Sequence, residues 1–148
     1  MNLIFGIFLI IFTFLFMEFI AWATHKYVMH GFLWHLHEDH HVVNKNHTFQ
    51  KNDFFFLIFA IPSMILIYIG YEYDNFLLFI GLGIALYGLG YFIVHEVIIH
   101  QRLPFFKKSN NAYIRSIRMA HKIHHKKLDK DGGTSFGMLI VPKKYFKL

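Results

Sequence analysis

LIFGIFLIIFTFLFMEFIAWATHKYVMH, residues 3–30, decides the architecture. The segment from Leu3 to Ala23 carries one charge, Glu18, and about 20 mostly apolar residues suffice to cross the hydrocarbon core of a bilayer as a helix. The run then passes without a break into His25 and His30, so an element of bilayer length ends in two imidazoles. No basic stretch precedes it and no small-residue cleavage site follows, so it reads as a retained span and not as a signal peptide. Further along, Phe54 to Tyr71 and Phe76 to Val94 contain no charge at all and read as two more spans, joined by a short turn over Tyr71–Asn75. The expected fold is all-α: a multi-pass membrane helical bundle with a histidine-rich helical cap. It forms a single domain over residues 1–148, with spans near 3–23, 54–71 and 76–94.

Ten of the twelve histidines fall into four clusters. His25 and His30 form HX4H, followed by His37, His40 and His41 as HX2HH. His95 and His100 then repeat HX4H, and His121, His124 and His125 repeat HX2HH. Imidazole is the commonest metal ligand among side chains, and ten are too many for one first-row ion but suit two held close together. Burying ten unpartnered imidazoles would cost several kcal/mol each, which disfavours a purely structural explanation. The lone His35 and His47 read as solvent-facing or supporting groups. On an α-helix, positions i, i+3 and i+4 share a face, so each HX2HH can turn its imidazoles to one side. HX4H is harder, because i and i+5 lie about 140° apart at 3.6 residues per turn. Such a pair flanks a two-ion site from one helix or relaxes at a helix end. Glu38, Asp39, Glu96 and Asp53 are carboxylates at hand to orient the rings from behind.

Charge gives the topology. All fifteen Lys and Arg lie between Lys26 and Lys51 or between Arg102 and Lys147. The positive-inside rule then puts both regions, with all four histidine clusters, in the cytoplasm and the N-terminus outside. With the flanking Asp53 and Glu96 included, the cytoplasmic side holds 15 basic residues against six acids (Glu38, Asp39, Asp53, Glu96, Asp129 and Asp131), a balance of +9, which serves either a negatively charged partner or anionic lipid. The absence of cysteine excludes disulfides, thiolate zinc sites, iron–sulfur ligation and covalent c-type haem attachment by this chain. Within the spans, Pro62 predicts a kink in the second. Gly81, Gly83, Ala85, Gly88 and Gly90 in the third read as close helix packing, not as a phosphate loop. Beyond the spans, Gly31 is a stop for the first helix. Residues 32–53 form a loop or short helix, and Ser109 is the expected cap of a basic amphipathic helix running to about Leu128.

An all-nitrogen shell suits zinc, iron, copper or nickel. Structural zinc closes at four ligands, and soluble di-iron bundles use two Glu-x-x-His motifs, of which Glu38–His41 is the sole formal match. HKYVMHGFLWHLHEDHH (25–41), FQKND (49–53), VHEVIIHQRLPF (94–105), AHKIHH (120–125) and GGTSFG (132–137) together resemble the bacterial β-carotene 3-hydroxylases of the fatty acid hydroxylase and sterol desaturase superfamily. The resemblance implies an O2-dependent, membrane-bound di-iron monooxygenase that hydroxylates C3 of β-ionone rings, taking β-carotene through β-cryptoxanthin to zeaxanthin. It implies iron ligation by His25, His30, His37, His40, His41, His95, His100, His121, His124 and His125. It also implies a carotenoid drawn from the bacterial inner membrane and an external electron donor such as ferredoxin with its reductase, while nucleic acid is a poor partner for charge that adjoins spans. Competing readings are a sibling fatty acid or sterol hydroxylase or desaturase, a C4 ketolase, a divalent-metal transporter and a bis-histidine haem carrier.

Overall fold

A computed structural model describes residues 2–42, 49–103, 105 and 108–147, and within them helices are the sole regular secondary structure, with no strand. His47 lies outside the described residues. Helix α1 spans Leu3–Ala23, α2 Trp34–His41, α3 Phe55–Glu72, α4 Leu77–Phe92 and α5 Ala112–His124. The first expected span matches α1; the second and third are each shifted by one residue at the start.

Three continuous helical rods are long and apolar enough to cross a membrane: Leu3–Phe32, Lys51–Glu72 and Leu77–Ile99. Asn2 caps the first by accepting from the Ile4 N–H at 2.9 Å. The turn between α3 and α4 closes on Asn75, whose side chain accepts from the Leu77 N–H at 2.9 Å. Helix α4 packs against both α1 and α3. Its glycines permit this: a Cβ at Gly83 would stand 2.7 Å from the Thr13 Cβ on α1, and one at Gly81 would stand 2.9 Å from the Ser63 carbonyl on α3. Ser63 in turn donates to the Gly81 carbonyl at 2.8 Å. The small-residue reading therefore holds at Gly81 and Gly83, whereas Gly88 faces open space.

Two features depart from the expected helices. Thr24–Phe32 and Ile93–Ile99 are π-helical, continuing α1 and α4 respectively. Gly31 interrupts the first with a non-helical φ of −110° and ψ of −122°, the stop that its sequence position predicts. Helix α5 is capped by Asn111, not Ser109. The Asn111 side chain accepts from the Tyr113 and Ile114 N–H groups, while Ser109 accepts from the Asn111 N–H ahead of it. The helix also ends at His124, four residues short of Leu128.

Candidate metal centre

The π-helical turns solve the HX4H problem. An i→i+5 repeat brings residues five apart to the same side, where an α-helix would set them far round the axis. His25 and His30 thus converge, as do His95 and His100. Five imidazoles gather in one group, His25, His30, His37, His41 and His124, and four in a second, His40, His95, His100 and His121. Within each group the facing ring nitrogens lie within 4.8 Å of one another. His25 and His37, His41 and His37, and His30 and His124 approach Nε2 to Nε2 at 3.2 Å in the first group. His40 and His95 do so at 3.2 Å, and His121 and His100 at 2.9 Å, in the second. An ion about 2.1 Å from two nitrogens 3.2 Å apart would see them at about 100°, between octahedral and tetrahedral values.

His125 lies beside both groups: its ring sits 4.3 Å from that of His121, 4.7 Å from His40 and 5.3 Å from His100, and stacks at 4.5 Å on His41. Its Nε2 is buried and has no hydrogen-bond partner, an orphan that a bound cation would satisfy. Counted with the second group, it would give the pattern an internal order. Each half of the chain gives both members of its HX4H and the outer two of its HX2HH to one group. The middle histidine of each HX2HH, His40 or His124, crosses to the other group.

Behind the rings, seven Nδ1 atoms are tied to acceptors. His37 donates to the Asn52 Oδ1 at 2.6 Å, His40 to the Gln50 Oε1 at 2.9 Å and His95 to the Glu96 Oε1 at 2.6 Å. His41, His30, His124 and His25 donate to the backbone carbonyls of Lys127, Lys130, Thr134 and Phe136 at 2.8–3.0 Å. Donation from Nδ1 fixes the tautomer that leaves a lone pair on Nε2. Arg102 braces the second group by pairing with Glu96 at 2.7 Å and donating to the Gln50 Oε1 at 3.1 Å. Of the four carboxylates expected behind the rings, Glu96 alone touches an imidazole. Asp39 instead accepts from the Lys51 and Asn52 N–H groups, Asp53 accepts from the Gln50 N–H, and Glu38 is exposed. These acids position the Gln50–Asn52 turn, whose neutral amides hold the rings. His35 is exposed, as expected of a residue outside the clusters.

Burial and the neighbouring imidazoles push the basicity of these rings down. His37 and His124 fall to about 3, His41 to about 4 and His125 to about 2. His100 falls to about 4, through burial and then Arg102, while burial foremost sets His40 and His121 well below their ordinary value. At neutral pH the cluster is a set of uncharged nitrogen donors, the form that a metal ion takes up. Phe136 packs its ring edge-on to His25, His30 and His124, and Trp34 lies against His30 and His41, so apolar faces close one side of the first group.

The collar formed by residues 127–140 was not foreseen from sequence, because its contribution is backbone. Gly132, with φ of 75°, turns it. A buried carboxylate on α1 fastens its far end: the Glu18 Oε1 accepts from the N–H groups of Met138, Leu139 and Ile140 at 2.9–3.0 Å, and its Oε2 accepts from the Tyr87 hydroxyl at 2.7 Å.

Residues 10–142 match the fatty acid hydroxylase family. The chain is 43% identical over 126 residues to the "Beta-carotene hydroxylase" of Pantoea ananas, covering 85% of this chain and 71% of that protein. It is 40% identical to the protein of the same name from Pseudescherichia vulneris, covering 86% and 72%. A further "Beta-carotene hydroxylase", from a Paracoccus species, is 36% identical over 135 residues, covering 90% and 83%. No solved structure matches.

Proposed function

The chain belongs to the fatty acid hydroxylase family, a family of non-haem iron enzymes, and on that premise we propose that it hydroxylates C3 of the β-ionone rings of a carotenoid at a di-iron centre. The observation that carries this reading is the pair of imidazole groups at the ends of bilayer-length helices, in a chain similar to β-carotene hydroxylases along most of its length.

His25, His30, His37, His41 and His124 hold one iron, and His40, His95, His100, His121 and His125 hold the other. Iron bound there supplies the dioxygen chemistry that an unactivated ring C–H bond demands and that no side chain can provide. The protein's own residues do the rest. The Nδ1 acceptors keep every tied ring turned inward, and Phe136 and Trp34 keep water from one flank of the first group. Arg102, Glu96 and Gln50 hold the second group against the Lys51–Phe54 turn. The apolar helices admit a substrate that lives in lipid and bring its ring end to the level of the histidines, which makes oxidation position-specific without polar recognition. Electrons arrive from a separate donor such as ferredoxin and its reductase, since this chain lacks the cysteines for an iron–sulfur centre. In the bacterial inner membrane, the basic segments put the site on the cytoplasmic side.

Co-expression in a bacterium that makes β-carotene tests the reaction. The expected products are β-cryptoxanthin and then zeaxanthin, lost under anaerobiosis or iron chelation. Keto products at C4 would replace the reading with a ketolase. Unchanged carotenoid beside hydroxylated acyl chains would replace it with a fatty acid hydroxylase. For orientation, cysteines introduced at Asn110 and Asp74 should react with an impermeant thiol reagent on intact cells at position 74 only.

A further inference from the structure

Glu18 is an ionisable side chain in the middle of an apolar helix, and it is only 7% exposed. Such a group is costly within a membrane span, so its contacts must say why it is there. All four are with donors: three consecutive backbone N–H groups converge on one oxygen and the Tyr87 hydroxyl meets the other. None of these partners belongs to α1. Met138, Leu139 and Ile140 end the collar that carries the Thr134 and Phe136 carbonyls, and Tyr87 lies on α4, two turns before His95.

Glu18 and His25 are seven residues apart, so they share a helix face about 10 Å apart along the axis. The collar runs down that face and is stapled to it twice, at Phe136 by His25 and at Met138–Ile140 by Glu18. Its fit is close: a Cβ at Gly137 would lie 3.2 Å from the Glu18 Oε1. Tyr113 holds the same stretch from α5 by donating to the Leu139 carbonyl at 2.7 Å.

We infer that Glu18 is a positioning residue for the metal centre: by fixing Met138–Ile140 it sets the carbonyls that aim His25 and His124, and through Tyr87 it locks α1 to the helix that carries the second HX4H. The inference rests on the reading that the histidines bind iron. Its effect is on how firmly the first group keeps its ion, with no contact to the ion itself.

The test measures release of iron to a chelator from the full-length, iron-loaded protein in detergent. Glu18→Leu suits a span better than glutamate does, so membrane insertion is preserved or improved while the clamp is lost. It should release iron at least about tenfold faster than the parent, in line with losses on removing supporting groups. Glu18→Gln can still present one oxygen to the three N–H groups and its NH2 to the Tyr87 oxygen, so it should stay within about threefold of the parent. Tyr87→Phe, a one-atom deletion that keeps the ring in place, should release iron several-fold faster and keeps the test decisive if Glu18→Leu does not accumulate. Parental release from Glu18→Leu or from Tyr87→Phe would overturn the inference, as would Glu18→Gln as fast as Glu18→Leu. A parent chain that takes up no iron would instead sink the metal reading itself.

Discussion

Asn52 offers the sharpest probe of how the cage is held. Its Oδ1 receives the His37 Nδ1–H at 2.6 Å, and the two residues are 8% and 1% exposed, so the bond lies away from bulk solvent. Asn52→Ala strands a buried N–H, which costs about 1–3 kcal/mol. If that cost falls on the metal-loaded state, affinity drops by about 5- to 150-fold at about 1.4 kcal/mol per decade. Experience with groups behind metal-bound histidines, about 10- to 100-fold, falls in the same range. Asn52→Asp keeps an acceptor and adds charge, so it should hold metal as well as the parent or better. Equilibrium competition against a chelator at pH 7.5 reads all three proteins. Asn52→Ala with an affinity within about twofold of the parent would refute the claim that this bond orients His37, and with it the wider argument from the Nδ1 acceptors.

Other outcomes follow from the same geometry. His40→Ala and His124→Ala should each abolish hydroxylation and lower bound iron while leaving the protein in the membrane; His35→Ala should retain near-parental activity, and equal losses in all three would contradict the site. Every cage imidazole outside the spans is held below its ordinary value of 6.5, so the unfolded chain binds more protons than the folded one below that value. The stability of the metal-free protein should therefore be flat above about pH 7 and fall as pH drops from 6.5 toward 4; a higher melting temperature at pH 5.5 than at 7.5 would reverse the sign. Gly83→Val forces a methyl-bearing carbon against Thr13 and the Ile10 carbonyl and should cost about 1–3 kcal/mol by overpacking. Gly88→Ala enters open space and should be neutral or mildly stabilising in the same thermal assay.

The bilayer-length helices were legible because length and the lack of charge are properties of composition, and the gathering of the clustered histidines because side-chain chemistry is written in the residue type. The pairing within HX4H was not legible, since the periodicity that reads amphipathic helices assumes 3.6 residues per turn and the structure departs from it at His25–His30 and His95–His100. Nor was the collar. Carbonyls of Lys127, Lys130, Thr134 and Phe136 are acceptors that any residue would supply, so nothing in their identity announces the role. The sign available in the sequence was Gly132-Gly133, which breaks α5's continuation and allows the turn. Glu18 was visible as the lone charge in the first span, but its partners lie 69 and 120–122 residues away, beyond the reach of local pattern. The orienting acids were misassigned for a related reason. Adjacency in sequence placed Glu38 and Asp39 next to histidines that point the other way on a short helix.

The crossing of His40 and His124 bears on how the centre fills. Helix α2 is eight residues long, and it cannot shift to suit one group without moving a ligand of the other; α5 is bound in the same way. An ion bound in either group would therefore hold helices that both groups need, and a second ion would meet a site already held in place. Uptake should be all-or-none, with half-filled chains scarce even when metal is limiting. Loss of one ion should likewise loosen its neighbour. On the proposed assignment neither half of the chain alone supplies all the nitrogens of either group, so the centre would assemble only once α5 has reached the bundle.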